Sequence, residues 1–452
     1  MEIKQLKAKP IYKEEKELIE SRLNIILPDD CWIVGGGTKY VYLDIYSSEY
    51  YLKFKVENGG NWILLKDNSQ KFDDYERVTL QQTLDNERDR IEKMWERLVQ
   101  RTFDFVNEHR DTHYTISISG GKDSEVLYNL WHTVVNKLDY TPDYEFIFFN
   151  TSNEVAEVYR YIKERKDIRI VNPEMGLFEF IKTKQNYLLP TLRKRYCCSK
   201  YKEGQVKKTY DNKKPNIQVM GVRKTESNTR ANYDFYMDYD FDKNVIKGTN
   251  SPKTWSKLAP IVELTTIDVW LLMLIKNFFV NRKYRLGWNR VGCTICPFSS
   301  AYEDELVKKY YPKAWERWCN LVTKTYETYN IAKIEGWTCQ EYINGVWKNP
   351  QSKDLKWLNR KPTPENIHNF AEYKGISDEL AAKYWVRECS KCGGVIMPMA
   401  NAMFFKFYGR YEGQIDTRER LCQKCLAKEL NMTLTEFYAK ALEFKEQGCC
   451  LF

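Results

Sequence analysis

The sequence predicts an α/β protein built on a doubly wound parallel sheet. A β-rich N-terminal part precedes that core, and a helical extension and a C-terminal four-cysteine module follow it. Three observations carry the prediction: strand and helix patterns alternate from Thr115 onward, a glycine turn sits at the first strand–helix join, and two Cys-x-x-Cys pairs lie near the end. The segments CWIVGGGTKYVYLDIY and EYYLKFKV alternate aromatic or β-branched residues with polar ones, as half-buried strands do. A charged helix is expected over Leu84–His109, its apolar face made by Ile91, Met94, Trp95, Leu98, Phe103 and Val106.

The alternating region begins with a strand at Thr115–Ile118. Its helix places Val126, Leu127, Leu130, Trp131, Val134, Val135 and Leu138 on one face. Strands at Tyr144–Phe149, Ile168–Val171 and Ile217–Met220, a helix near Glu154–Arg165 and a long apolar helix near Thr266–Asn281 complete it. Such alternation gives a mostly parallel sheet covered on both faces, with ligands at the carboxyl ends of its strands. Four parts are expected: residues 1–80, 81–300, 301–386 and 387–452.

A chain of 452 residues exceeds what one core usually organises. Its net charge of +9 permits a nucleic-acid or nucleotide partner. No apolar run is long enough to span a bilayer, and the charged start is unlike a secretory signal, so a cytoplasmic protein with no membrane partner is expected. In that compartment 13 cysteines are not a disulfide framework. With only 4 histidines beside 13 cysteines, any metal should be held by thiolates.

The stretch TISISGGKDSEVLYNL holds the first chemical motif. Its glycines let backbone N–H groups approach a bound group, and the helix behind adds the positive end of its dipole, so the turn suits phosphate or sulfate. Ser119, Gly120, Gly121, Asp123 and Ser124 spell Ser-Gly-Gly-x-Asp-Ser, which resembles the PP-loop of the adenine-nucleotide α-hydrolase-like superfamily. The blocks RYCCSKYKEGQ, GVRKTESNTR, LAPIVELTTIDVW and RLGWNRVGCTICPF further resemble the phosphoadenosine phosphosulfate (PAPS) reductase family over about Tyr114–Ser300. That family includes assimilatory sulfonucleotide reductases and is related to DNA phosphorothioation sulfurtransferases. The resemblance implies that the loop cradles the nucleotide's phosphate or sulfate, that Lys122 adds a point charge, and that Arg223 and Arg230 contact the phosphate or sulfonate. Lys122, Asp123 and Arg223 are the catalytic candidates, and Thr151 joins the nucleotide-binding set.

One strand end departs from the family. Where the reductases carry Asp-Thr-Gly, this chain has Asn150-Thr151-Ser152, and Ala156-Glu157-Val158 stands for Pro-Glu-Thr. Thr151 and Glu157 are kept; a negative charge is lost.

Cys197-Cys198 and Cys293-x-x-Cys296 can together supply four thiolates to one iron–sulfur cube, with zinc in the same ligands or free thiols as alternatives. The arrangement looks like that of the 4Fe–4S sulfonucleotide reductases. Arg193, Lys194, Arg195, Lys200 and Lys202 would offset its charge. Cys389-x-x-Cys392 and Cys422-x-x-Cys425, the latter opening a helix through Leu430, read as a treble-clef or zinc-ribbon site for structural zinc. Cys31, Cys319 and Cys339 read as small buried hydrophobes. The terminal Cys449-Cys450 resembles only loosely the reductases' nucleophilic tail, and a frayed terminus is the plainer reading.

These features lead to a sulfur-transfer enzyme that binds an adenine nucleotide (ATP with magnesium, or the sulfonucleotides APS or PAPS). The favoured course is ATP-dependent activation of a nucleic-acid or protein acceptor, served by a sulfur donor or reductant protein. A sulfonucleotide reductase and a non-enzymatic, DNA-binding nucleotide or cluster sensor are the alternatives.

Overall fold

A computed structural model describes residues 8–29, 32–34, 41–43, 52–68, 79–192, 195–209, 216–227, 230–240, 245–246, 256–332, 337–349, 364, 367–368, 371–372, 377–379, 382, 389–393, 396, 398–409 and 418–446. The chain divides into two compact units, one formed by residues 1–330 with 338–350, the other by 331–337 with 351–452. The four-part division expected from the sequence remains a proposal about finer boundaries.

The first unit opens with β1 (Ala8–Pro10), α1 (Lys13–Leu23), β2 (Trp32–Val34), β3 (Val41–Leu43), β4 (Leu52–Val56) and β5 (Trp62–Asp67). Among the described residues these strands form an antiparallel sheet in the order β1-β2-β3-β4-β5. Helix α2 (Leu80–Glu108) begins four residues earlier than the apolar pattern suggests, because Thr79 and Gln82 cap each other's backbone. Its Ile91, Met94, Trp95 and Val106 are buried, whereas Leu98 and Phe103 are only partly covered.

The core sheet follows: β6 (His113–Ser117), α3 (Lys122–Val135), β7 (Tyr144–Phe149), α4 (Ala156–Glu164), β8 (Ile168–Val171), α5 (Leu177–Thr183), α6 (Tyr196–Cys198), α7 (Gly204–Thr209) and β9 (Asn216–Val219). Then come β10 (Tyr236–Met237), a small ribbon of β11 (Tyr239–Asp240) and β12 (Val245–Ile246), and β13 (Ser256–Leu258). The order of the sheet is β10-β13-β9-β6-β7-β8, parallel except at β10. Ile116 of β6 lies opposite Phe146 on one side and Val219 on the other. From β6 the chain first builds outward through β7 and β8, then returns to the opposite side of β6 at β9. That reversal opens a crevice at the carboxyl ends of β6 and β9.

Helices α3 and α8 (Thr266–Ile275) supply the apolar cover. Val126, Leu127, Leu130, Trp131 and Val134 join Val269–Met273, with α2, in one buried cluster around the sheet. The apolar run after Thr266 does not stay helical to Asn281. Asn277 turns left-handed (φ 53°) and the Phe278 N–H donates back to the Met273 carbonyl, closing α8. The short α9 (Arg282–Arg285) restarts after an Asn281 cap. Helices α10 (Ala301–Tyr310) and α11 (Pro312–Thr328) lie within the expected helical extension.

The N-terminal sheet is tied to the core by a buried ion pair. Lys9 and Glu15, both essentially inaccessible, pair with each other. The Tyr302 hydroxyl donates to Glu15 at 2.7 Å, and the Lys9 ammonium donates to the Tyr284 carbonyl at 3.3 Å. Burial pulls the lysine's pKa down and pushes the glutamate's up, each opposed by its partner's charge. Removing one member strands the other. Lys9→Met should therefore cost about 3–5 kcal/mol in urea unfolding, and adding Glu15→Leu should recover most of it.

Candidate functional site: a phosphate loop facing four cysteines

The glycine turn, Ser119–Ser124, occupies the crevice between β6 and β9. Gly120 takes a left-handed conformation (φ 75°), so the chain reverses from strand to helix without a side-chain clash. Gly121 stands at the N-terminus of α3. Exposed Ser119 holds the turn's geometry: its hydroxyl lies 3.1 Å from that of Ser124, and Ser124 donates to the Gly121 carbonyl at 2.9 Å. Asn281 donates to the Gly120 carbonyl at 3.2 Å, and the Tyr284 hydroxyl accepts the Lys122 N–H at 2.9 Å.

Asp123 takes Lys122 on one oxygen at 2.6 Å and Arg223 on the other at 2.7 Å. Burial pushes its carboxyl up, but the charges and hydrogen bonds of the two cations outweigh that and hold it below its ordinary value. Arg223, 3% exposed, is completed by Thr225 and Thr266 at 3.1 and 3.0 Å. The segment carrying it presses on the loop: a Cβ on Gly221 would stand 2.9 Å from the Asp123 carbonyl oxygen, so only glycine fits there.

The departures at β7 have local uses. Ser152 keeps a left-handed φ of 58° where the family has glycine, and its hydroxyl accepts the Leu177 N–H that opens α5 at 2.7 Å. Asn150 accepts the Ser152 N–H at 2.6 Å and donates to Asn172 at 2.7 Å, uses an aspartate could not fully match. Thr151 donates to Glu154 at 2.5 Å and lies 3.6 Å from the Cys293 sulfur. Glu157 instead accepts from Tyr311 at 3.0 Å.

The two cysteine pairs meet on this crevice. Cys197 and Cys198 end α6 just before a π-helical turn, Ser199–Glu203. The Cys293–Cys296 loop is zipped to the end of β7 by Thr294 N–H to the Asn153 carbonyl (2.5 Å) and by Asn153 to the Ile295 carbonyl (2.8 Å). Buried Lys283, its pKa pulled down to about 8 by burial, donates to the Gly292 carbonyl at 3.0 Å. A cavity of about 700 Å³ is lined by Ser119, Gly121, Asp123, Ser124 and Thr151, and equally by Cys197, Cys198, Cys293 and Cys296. Arg195, Lys202, Arg230 and Arg290 also line it.

A hydrogen bond with Cys198, then burial and the neighbouring sulfurs, push the Cys197 thiol well up. Four thiols line one cavity and the neighbouring sulfurs disfavour a bare Cys197 thiolate, so the donor set fits a thiolate-ligated metal group.

Not every sequence-predicted residue faces the cavity. Lys122 and Arg223 stand against Asp123 and do not line it. Arg230 lines it while paired to Glu226. Lys200 lies over the Phe180 ring at 4.3 Å, and Arg195 over Phe298 at 5.0 Å. Arg193, Lys194, Cys31, Cys449 and Cys450 lie outside the described residues. Cys319 and Cys339 are half-buried, not the fully covered hydrophobes expected. Gly221 opens the GVRKTESNTR block but was given no role there; Asn281, Lys283 and Tyr284 escaped sequence reasoning, although they lie just before the RLGWNRVGC block.

In the second unit the sulfurs of Cys389, Cys392, Cys422 and Cys425 all lie within 4.8 Å of one another. That spacing fits one tetrahedral ion with Zn–S bonds of about 2.3 Å. Cys422 caps the helix Gln423–Glu429. Burial raises the Cys389 thiol, but N–H groups of Cys422, Lys391 and Cys392 bring it down to about 6, favouring the ligating thiolate.

The crevice, the glycine turn and the mostly parallel sheet define an α/β domain. Residues 113–299 match the phosphoadenosine phosphosulfate reductase domain, and the glycine turn and the Cys293–Cys296 pair fall inside the matched segment. Two uncharacterized proteins of Methanocaldococcus jannaschii are similar. One is 26% identical over 64% of this chain and 63% of its own length. The other is 26% identical over 52% of this chain and 45% of its own. The chain thus spans less than two thirds of either relative. The PAPS reductase of Candida auris in its phosphate complex aligns over 45% of this chain and 93% of its own, with TM-score 0.33 and 14% identity. The U34-tRNA thiolase NcsA of Methanococcus maripaludis with its 4Fe–4S cluster aligns over 57% and 90%, with TM-score 0.30 and 15% identity.

Asp123 gives a pH-dependent expectation. Its folded pKa lies below the ordinary 3.8, so its stabilisation is complete above 3.8 and is lost as pH falls through the folded value. Asp123→Asn should destabilise by about 3–5 kcal/mol at neutral pH in chemical unfolding, the gap to the unmodified protein closing in acid.

Proposed function

We propose that this chain is a PP-loop enzyme of the PAPS reductase family that binds ATP and does sulfur-transfer chemistry on a nucleic-acid or protein acceptor. The carrying observation is the single cavity shared by the phosphate loop and the four cysteines. The loop's serines and backbone N–H groups would hold phosphate, and magnesium would accompany ATP. The acceptor oxygen would attack the α-phosphate and release pyrophosphate; sulfide-level sulfur from a donor protein would then attack the acceptor and displace AMP, which carries the oxygen away. Arg195, Lys202, Arg230 and Arg290 would gather the anionic groups in this cavity. Because residues 1–112 and the second unit's cysteine module extend beyond the domain, a macromolecular acceptor is favoured over a free sulfonucleotide.

Cys197, Cys198, Cys293 and Cys296 would hold a 4Fe–4S cluster, one thiolate on each iron, which when bound would supply electron-transfer and electrostatic chemistry beside the nucleotide. Cys389, Cys392, Cys422 and Cys425 would hold structural zinc.

Anaerobically prepared protein should be brown, with about four irons and one zinc per chain. Replacing Cys197, Cys198, Cys293 or Cys296 by serine should remove the iron and the colour, while Cys389→Ser or Cys422→Ser should remove only the zinc. Calorimetric titration should find ATP binding, weakened about tenfold by Ser119→Ala. Tighter binding of APS or PAPS than of ATP, with a sulfonate adduct by intact mass, would move the reading to a sulfonucleotide reductase.

A further inference from the structure

Tyr284 is 1% exposed, yet it lines the cavity. Its ring meets Trp270 edge-on at 4.9 Å, and its backbone carbonyl accepts from Lys9, so its position is set from two sides. The hydroxyl reaches the phosphate loop itself: a Cβ on Gly121 would stand 3.3 Å from it. Its oxygen accepts the Lys122 N–H at 2.9 Å, and the Val291 N–H also acts on it. A phenol offers two acceptor sites and one proton. With backbone donors on the oxygen, the proton must point elsewhere, and among the described residues it has no acceptor. The nearest carboxylate, Asp123, already has its two oxygens on Arg223 and Lys122. Burial, aided by the Asp123 charge, keeps the phenol protonated by raising its pKa.

A buried donor without an acceptor is costly, and this one sits beside the N-terminus of α3. We propose that the Tyr284 hydroxyl donates a hydrogen bond to the phosphate group held at the Ser119–Ser124 loop, an inference that rests on the reading of that loop as a nucleotide site. Tyr284 is thus a ligand-binding residue outside the loop motif. Because Val291 lies just before Cys293, the same oxygen also ties the phosphate loop to the cysteine loop.

The test compares inorganic pyrophosphate and adenosine as calorimetric probes of the full chain. Tyr284→Phe keeps the ring and removes only the hydroxyl. Pyrophosphate affinity should fall about tenfold while adenosine affinity stays unchanged. Unchanged pyrophosphate affinity, or equal losses for both probes, overturns the inference while leaving the nucleotide site standing. An unmodified protein that binds neither ATP nor pyrophosphate overturns the nucleotide reading and this inference with it. Should the phenylalanine variant fail to fold, 3-fluorotyrosine placed at 284 reports directly. Its fluorine resonance should shift with pyrophosphate and not with adenosine; no shift with pyrophosphate overturns the proposal.

Discussion

One carboxylate shared by two cations closes this site. Asp123 belongs to the helix that follows β6, Arg223 to the segment that follows β9, and their contact spans the crevice where the sheet reverses direction. Coulomb attraction at low exposure is strong enough to hold the loop and the neighbouring strand end together, provided both charges stay paired. Gly221 lets the two backbones approach, and Lys122 balances the remaining charge. The exposed Ser119 and the N-terminus of α3 are thereby left facing the cavity, with the cations behind them.

The second constraint is the fastening of the cysteine loop. Asn153 bonds it at two points from β7, Lys283 holds the Gly292 carbonyl, and Lys348 grips Ser299 and Asp304 just beyond Cys296. None of these side chains is itself a thiol, yet together they decide where Cys293 and Cys296 stand. Lys9 extends the same network into the N-terminal sheet through the Tyr284 carbonyl, so the sheet outside the family domain contributes to the position of a residue on the cavity.

The strands and the glycine turn were legible because their signals are local. Alternation marks β6 to β9, and Ser-Gly-Gly-Lys-Asp-Ser between strand and helix suits an anion whatever surrounds it. The end of α8 was not legible, since the apolar run past Ile275 continues while the backbone turns at Asn277. The direction of Arg223 was also hidden. A guanidinium after a strand looks like an oxyanion ligand, and only the fold reveals a carboxylate one hundred positions earlier as its partner. Tyr284, in an apolar and basic stretch, carries no local sign that its hydroxyl reaches the loop. Ser152 taught the converse: a residue that breaks a motif's letter can keep its backbone conformation.

The central claim is that nucleotide and iron–sulfur chemistry share one cavity. Its most direct test is an anaerobic titration with ATP while the visible circular dichroism of the bound cluster is followed. The expected result is a saturable spectral change whose midpoint matches the calorimetric ATP affinity and which Cys389→Ser leaves intact. Saturating ATP binding with no spectral change, or protein without iron that retains four reduced thiols at these positions, would contradict it.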